Sequence, residues 1–496
     1  MIGPFLLLVG LVAGIFIGDA IGPSAAWAAL SVAVVALVGA FIRRGAPGAL
    51  AVAIIGACLL GVALEQRALH GLEDSPLARA VEHRRTADAV VTMAEDPDGP
   101  FYEAHALARV SNFAGESGGG RTVRLIASGG ARSALRALDA GDRVRVRGAL
   151  ETLTGYDERF RWRHAVARFR VDEVLAIARP TSPWFQAANA ARRTVLRGSA
   201  PLPGTERALL AGFLLGDTRA IPDDVVNDFR SAGLSHLLAV SGANVAFALA
   251  IVDPALRKLR RGPRFASGVG VLVLFGTMTR WEPSVLRAAV MAGLVMLARS
   301  LGRPADARRV LVLAIIGLLV VDPFLVRSVG FQLSCGACAG IVIGAAPIAA
   351  RLRGPAWIRE ALGVTAAAQI GVSPVLLATF GTVPLVALPA NLLAAPFVGP
   401  LTVWGLVASV AGGVLGPGAT SWLQLPTLAM LRAIETIAQV GATEPVPVDG
   451  PLAFAMLVIA AVLAGLHRVR RGRADRLARR GRHLPREGHR SDPARS

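Results

Sequence analysis

Runs of apolar residues long enough to cross a bilayer limit this chain more than any other feature. A hydrocarbon core of about 30 Å takes about 20 residues of helix. Met1 to Leu64 already holds three such runs. Only 18% of the 496 residues are charged, where soluble domains average about 25%. The apolar residues also come in blocks and do not alternate with polar ones. Membrane insertion follows from these observations together. The first run, Pro4 to Ile17, lacks a basic leading segment and is followed by further spans. It is expected to be a retained span and not a cleaved signal peptide.

Basic loops orient the spans, since Lys and Arg collect on the cytoplasmic side. Arg43 and Arg44 separate the second run from the third, so that loop is expected inside. The polar segment after the third run then lies outside. Basic clusters follow at Arg257 to Arg264, at Arg299 to Arg309 and at Arg351 to Arg359. They alternate with the later runs Leu234 to Val252, Val269 to Thr279, Val285 to Ala298, Val310 to Val321 and Val329 to Ala350. Leu362 to Phe380, Leu385 to Val410, Trp422 to Val440 and Leu452 to Leu466 complete a count of about twelve crossings without a charge conflict. Pro384, Pro389, Pro396 and Pro400 interrupt one stretch, so some runs are expected to be half-helices packed in protein. Leu209 to Leu215 is another re-entrant candidate.

The polar segment reads as strands at Thr86 to Met93, His105 to Val110, Arg121 to Ala127, Asp142 to Leu150 and Val166 to Ile177. Arg143-Val144-Arg145-Val146-Arg147 alternates with period two, as a half-buried strand does. Strands this short in so few residues predict a small barrel, for which the OB-fold is the economical topology. The predicted fold class is a polytopic α-helical membrane protein with an inserted extracytoplasmic small β-barrel. Its segments are residues 1–64 (first spans), 65–180 (barrel), 181–204 (an amphipathic helix on the membrane surface), 205–466 (channel-like spans) and 467–496 (a basic cytoplasmic tail). Outward arginines interleaved with aromatics mark a candidate groove for single strands: Arg143, Arg145, Arg147, Arg161, Trp162, Arg163, Arg168 and Arg170. A solvated arginine face over an aromatic core accounts for the same pattern.

Polar side chains inside spans are costly and mark pathways. Asp217, His236, Ser241, Asn244, Arg287, Gln332, Ser334 and Asn391 form such a set. Singly, each is explained by an interhelical hydrogen bond worth about 0.6 kcal/mol. Together, across several segments, they predict a shared polar lumen. Arg287 matters most, because a buried cation either pairs or meets an anion.

Other chemistry is excluded or thin. Lys258 is the single lysine and does not close a G-x-x-x-x-G-K-[ST] loop, so no Walker-type ATPase is present. Cys335 and Cys338 have C-x-x-C spacing within an apolar run, where cysteine packs as a small hydrophobe. No H-E-x-x-H, H-x-H-x-D-H or G-x-S-x-G pattern occurs. Ser241 and His236 are five residues apart and face different ways on a helix. No catalytic residue, metal or cofactor is expected. The net charge is +19, and eleven arginines against three acids give Arg468 to Ser496 a charge of +8. Such a tail suits anionic lipid or nucleic acid.

The segments Gly212 to Asp217, Gly233 to Gly242 and Pro283 to Met291, with Asp322-Pro323, Gly330 to Ser334 and Asn391 to Pro396, closely resemble the ComEC family of competence channels, and in the family's order. The resemblance implies a cytoplasmic-membrane channel for single-stranded DNA in natural transformation. The channel reading also calls for partners, an extracytoplasmic DNA receptor and, with no P-loop in the chain, a cytoplasmic helicase or translocase; a homo-oligomer is one arrangement that the sequence leaves open. The family's usual S-G-[LI]-H reads Ser241-Gly242-Ala243-Asn244 here, which keeps a hydrogen-bonding group and loses a titratable one. Many relatives also carry a metallo-β-lactamase-like domain. Here the sequence runs into the basic tail, so a separate nuclease is expected to degrade the second strand.

Overall fold

A computed structural model describes residues 2–22, 26–42, 48–81, 86–99, 102–180, 182–384, 386–416, 418–443 and 447–449. Arg43, Arg44, the run Leu452 to Leu466 and the basic tail lie outside the described residues. The chain opens with three apolar helices, α1 (Ile2–Ile21), α2 (Ala26–Ile42) and α3 (Ala49–Glu73). Gly14 of α1 and Gly61 of α3 have no side chain to separate the two backbones, and a Cβ on Gly14 would overlap the Cys58 carbonyl.

A short α4 (Pro76–Val81) leads into β1 (Thr86–Met93), β2 (Glu103–Phe113), β3 (Glu116–Ser128), α5 (Gly129–Arg136), β4 (Arg143–Glu151) and β5 (Ala165–Ala178). The strands close in the order β1-β2-β3-β5-β4, and β4 returns to β1. β3 and β5 run parallel and the other pairs antiparallel. A five-stranded closed barrel with a helix between its third and fourth strands has the OB arrangement. Period-two alternation drives it inward: Val144 and Val146 join Val91, Val123, Leu125 and Phe169 in a closed core, while Arg143, Arg145 and Arg147 face out.

The second helical region contains α6 (Pro183–Gly198), α7 (Gly204–Leu215), α8 (Asp223–Ser231), the single-turn α9 (Ser235–Leu238), α10 (Gly242–Leu256), α11 (Arg261–Met278), α12 (Pro283–Ser300), α13 (Ala307–Val321), α14 (Val329–Ala349) and α15 (Ala356–Phe380). β6 (Thr382–Pro384), α16 (Ala387–Leu415), α17 (Gln424–Thr443) and β7 (Pro447–Asp449) follow, with β6 paired to β7. Among the described residues six helices are long and apolar enough to cross a membrane, and the segments Ala28–Ala40 and Gly242–Leu256 are shorter apolar helices. The expected count of about twelve is therefore not matched by full-length spans. The physical reasons are local. Ser241-Gly242 splits one run into α9 and α10, α13 has only 15 residues, and α17 carries Arg432 and Glu435. The re-entrant candidate Leu209 to Leu215 is the buried end of α7.

The amphipathic helix is α6, and it differs from expectation in one respect. Its Arg192 and Asn189 are buried instead of facing the membrane surface. One flank of α6 lies against α16: a Cβ on Gly198 would overlap the Ser409 carbonyl, and one on Gly413 the Thr194 carbonyl. Arg193 and Arg197 stay exposed.

Small residues also decide the α14–α15 pair. Gly336 and Gly340 of α14 meet Ala367 and Gly371 of α15 backbone to backbone, as in small-residue membrane interfaces. Gly371→Leu is expected to force this pair apart and cost about 1–3 kcal/mol. The check is the thermal midpoint of the detergent-solubilised protein, and an unchanged midpoint would remove the packing role.

The connections alternate in character. The α11–α12 and α13–α14 turns carry Arg280 and Arg327, which bond the barrel's β1–β2 connection and the barrel-side ends of α1 and α3 respectively. The α10–α11, α12–α13 and α14–α15 connections carry Lys258 and Arg260, Arg303 and Asp306, and Arg351 and Arg353. Helices α11 to α14 separate the two sets, so the barrel and the basic connections occupy opposite ends of the bundle.

Candidate functional site

Three loops of the barrel dock it onto the helices, the α5–β4 loop among them, where Ala140 accepts from Asn189 of α6 (3.0 Å) and Asp139 pairs with Arg193 (3.3 Å). The first is the β1–β2 connection. Asp96 accepts from Arg280 Nη2 (2.6 Å) and Nε (3.0 Å), from Arg192 Nη2 (2.9 Å) and from the Ala140 amide (2.9 Å). Arg192 also donates to the carbonyls of Met278 (2.7 Å) and Leu215 (3.1 Å) and to Asp217 (3.2 Å). Asp217 takes a two-pronged contact from Arg219 at 2.6 and 2.8 Å. Burial pushes the Asp96 carboxyl up, but the Arg280 and Arg192 guanidiniums outweigh it and hold the group below the usual carboxylate range. The turn that presents Arg280 is unusual: Arg280 and Trp281 both hold left-handed backbone, φ 57° and 56°. Such a pair persists only where surroundings over-determine it. Here the Trp281 ring lies against Gly276 and Asp96 clasps Arg280.

The second docking loop is the β4–β5 connection, which contains a 3-10 helix, Gly155–Arg163. Trp162 meets Phe324 edge-on at 5.4 Å, and the Arg327 guanidinium sits 4.2 Å from the Trp162 ring. Arg327 also pairs with Asp19 (2.9 Å) and with the fully buried Glu65 (2.8 Å). His164 Nε2 reaches Asp322 at 3.1 Å.

Beneath these contacts lies a polar cluster among α7, α10, α12 and α14. Asn244 donates to the Phe213 carbonyl (2.7 Å) and accepts from Ser241 Oγ (3.1 Å). Ser284 Oγ donates to the Val240 carbonyl. Arg287, 6% exposed, donates from Nε to Ser334 Oγ (2.8 Å) and from Nη1 to Met291 Sδ (3.2 Å). Among the described residues no carboxylate pairs with it. Gly242 matters here because a Cβ would crowd the guanidinium at 2.9 Å.

Of the eight span residues singled out from sequence, Ser241 and Asn244 bond each other, Arg287 bonds Ser334, and Gly242 brings the two pairs together. The others stand apart. Asp217 belongs to the docking network and not to this cluster. Gln332 donates to the Val326 carbonyl (2.7 Å), and Asn391 turns back onto its own helix at Ala387 (2.7 Å). His236 is exposed on α9 beside buried Leu237 and Leu238.

The barrel residues divide similarly. Arg147 pairs with Asp88 (2.8 Å), with Arg145 at 3.8 Å from the same carboxylate. Arg168 and Arg170 share Glu151, Arg161 pairs with Glu73 (2.6 Å) and Arg163 with Glu95 (2.6 Å). Arg143 is exposed. Trp162 is wedged at the docking surface and is not an open stacking platform. Sequence reasoning missed Asp96, Arg192, Arg280 and Arg327, which join parts of the chain far apart in sequence. The one local signal was an acidic residue just after a strand, Glu95-Asp96-Pro97. No three His, Cys, Asp or Glu side chains gather as a metal set among the described residues.

An OB-type barrel fixed by three loops onto a helical membrane region that holds a buried arginine defines a class of polytopic membrane protein with an appended small-barrel module. The chain belongs to the competence protein family, whose sequence model matches residues 213–471, over half of the chain. It is 25% identical over 333 residues to ComE operon protein 3 of Bacillus subtilis, covering 64% of this chain and 42% of that protein. It is 25% identical over 230 residues to the uncharacterized protein YcaI of Escherichia coli, covering 42% of this chain and 30% of that one. The chain thus spans less than half the length of the curated relatives it matches. No solved structure matches it.

Proposed function

We propose that this protein is a channel that carries single-stranded DNA across the cytoplasmic membrane in natural transformation. The observation that carries the reading is Arg287, a buried guanidinium that pairs with no carboxylate among the described residues and lies among Ser241, Asn244 and Ser334. A cation in that setting has its charge available to a phosphodiester. Membership of the competence family supplies the cargo class.

The barrel lies outside the cell and receives the strand. Its end of the bundle is opposite the connections bearing Lys258, Arg303 and Arg351, which the positive-inside rule assigns to the cytoplasm. Arg193 and Arg197 of α6 meet lipid headgroups, and the tail 467–496 meets the inner leaflet. A cytoplasmic helicase or translocase pulls the strand, since no P-loop is present. A receptor delivers DNA from outside, a separate nuclease removes the second strand, and copies of the chain assemble as a homo-oligomer.

A second reading, transport of another anionic solute or polymer, has one observation in its favour. Asp88, Glu151, Glu73 and Glu95 already neutralise most of the barrel arginines expected to bind DNA. The test is uptake of labelled DNA into a nuclease-protected cytoplasmic pool. A full deletion is expected to abolish it, and wild-type uptake in the deletion would sink the function.

A further inference from the structure

We propose that the outer face of β2 and β3 is a masked site for a segment of single-stranded nucleic acid. The β4–β5 connection holds it shut, with the Asp157 carboxylate in the place of a phosphate and the Phe160 ring in the place of a base. The proposal rests on the channel reading above, because that reading supplies the strand.

The outward-facing residues of β2 and β3 include Leu107 and Arg124, directly opposite each other in the ladder. On an open barrel both would be wet. Here both are 4% exposed, covered by Phe160 and Asp157 of the 3-10 helix. The Arg124 guanidinium lies 4.2 Å from the Phe160 ring centroid and pairs with Asp157. Arg168 of β5 approaches the other Asp157 oxygen at 3.7 Å. Two arginines from adjacent strands thus converge on one anion beside one aromatic ring. That is the donor set that holds a phosphodiester and stacks a base.

Three features show that this cover is separable from the barrel. Neither Asp157 nor Phe160 belongs to a strand, so removing the cover leaves every ladder intact. Left-handed residues bound it, Gly155 (φ 57°) and His164 (φ 60°). Among the described residues Arg124 Nε has no hydrogen-bond partner, so the cover satisfies the guanidinium only in part. The same connection carries Trp162 against Phe324. A strand that displaces Phe160 therefore pulls on the contact with α13 and α14, which couples loading of the barrel to the helices beneath.

The experiment uses the full chain in detergent with a fluorescent 15-nucleotide oligo(dT). Asp157→Asn and Phe160→Ala are each expected to bind it roughly tenfold more tightly than wild type, because they remove a competing internal ligand. Adding Arg124→Gln to either is expected to cancel the gain. Equal or weaker binding by both opening variants overturns the proposal, as does a gain that survives Arg124→Gln. Hydrogen exchange in the unaltered protein covers the case in which the variants do not fold. Amides of residues 155–163 are expected to exchange faster once the oligonucleotide is added, and unchanged exchange overturns the proposal too. The channel reading is judged separately, by uptake in the deletion strain: uptake can require this protein while the masked face is disproved.

Discussion

Replacing Asp96 with alanine is expected to undock the barrel. The substitution leaves Arg192 and Arg280 without their shared carboxylate in a dry joint. Breaking a buried pair by removing one partner costs about 3–5 kcal/mol. Asp217 remains beside Arg192, which places the loss toward the lower end of that range. The measurement is thermal unfolding together with limited proteolysis at the barrel linkers. Asp98→Ala, two residues away and exposed, is the control, and should stay within about 0.5 kcal/mol of wild type. If the two variants behave alike, Asp96 is not the joint. The same group sets an acid limit. Its folded pKa is depressed, so its contribution is complete above the ordinary aspartate value of about 4. It disappears as pH falls through the lower folded value. Docking should therefore survive mild acid and fail only in strong acid.

Arg287→Gln is expected to lower DNA uptake by about 10- to 100-fold, with the protein still inserted. Hydrogen bonds to charged groups contribute about 1.5–3 kcal/mol, and each 1.4 kcal/mol is about tenfold. Glutamine can still bond Ser334, so the loss isolates the charge from the packing. Arg287→Lys keeps the charge but loses the planar fork and should fall between the two. Wild-type uptake by Arg287→Gln would remove Arg287 from the pathway.

The barrel was legible in the sequence because period-two alternation is a local signal: Arg143-Val144-Arg145-Val146-Arg147 carries its own strand assignment, and the structure keeps it. Membrane insertion was legible for the same reason, since a span is a property of consecutive residues. Fewer full-length spans occur among the described residues than the expected crossings, because hydropathy averages over a break such as Ser241-Gly242 and over a short helix such as α13. The site was only half legible. Ser241 and Asn244 announce themselves as polar groups in an apolar run, and so does Arg287. Asp96, Arg280 and Arg327 do not, because each sits in a polar loop where a charge is unremarked. Their meaning comes from partners 184 residues away in the case of Arg280 and Asp96. Pairing also hid the state of the arginines: alternation shows that Arg147 points outward, but not that Asp88 waits beside it.

The docking loops have a mechanical consequence. A body held at three points off one line can neither tumble nor turn, so a load on it passes to whatever holds the points. Asp96 is held on the α11–α12 turn, Trp162 meets Phe324 and Arg327 on the α13–α14 turn, and Ala140 accepts from Asn189 of α6. α12, which bears Arg287, follows the first turn, and α14, which bears Ser334, follows the second. A pull on the barrel thus loads one helix bearing the arginine and one bearing its serine. The hydrogen bond between them is the gauge on which such a load would register.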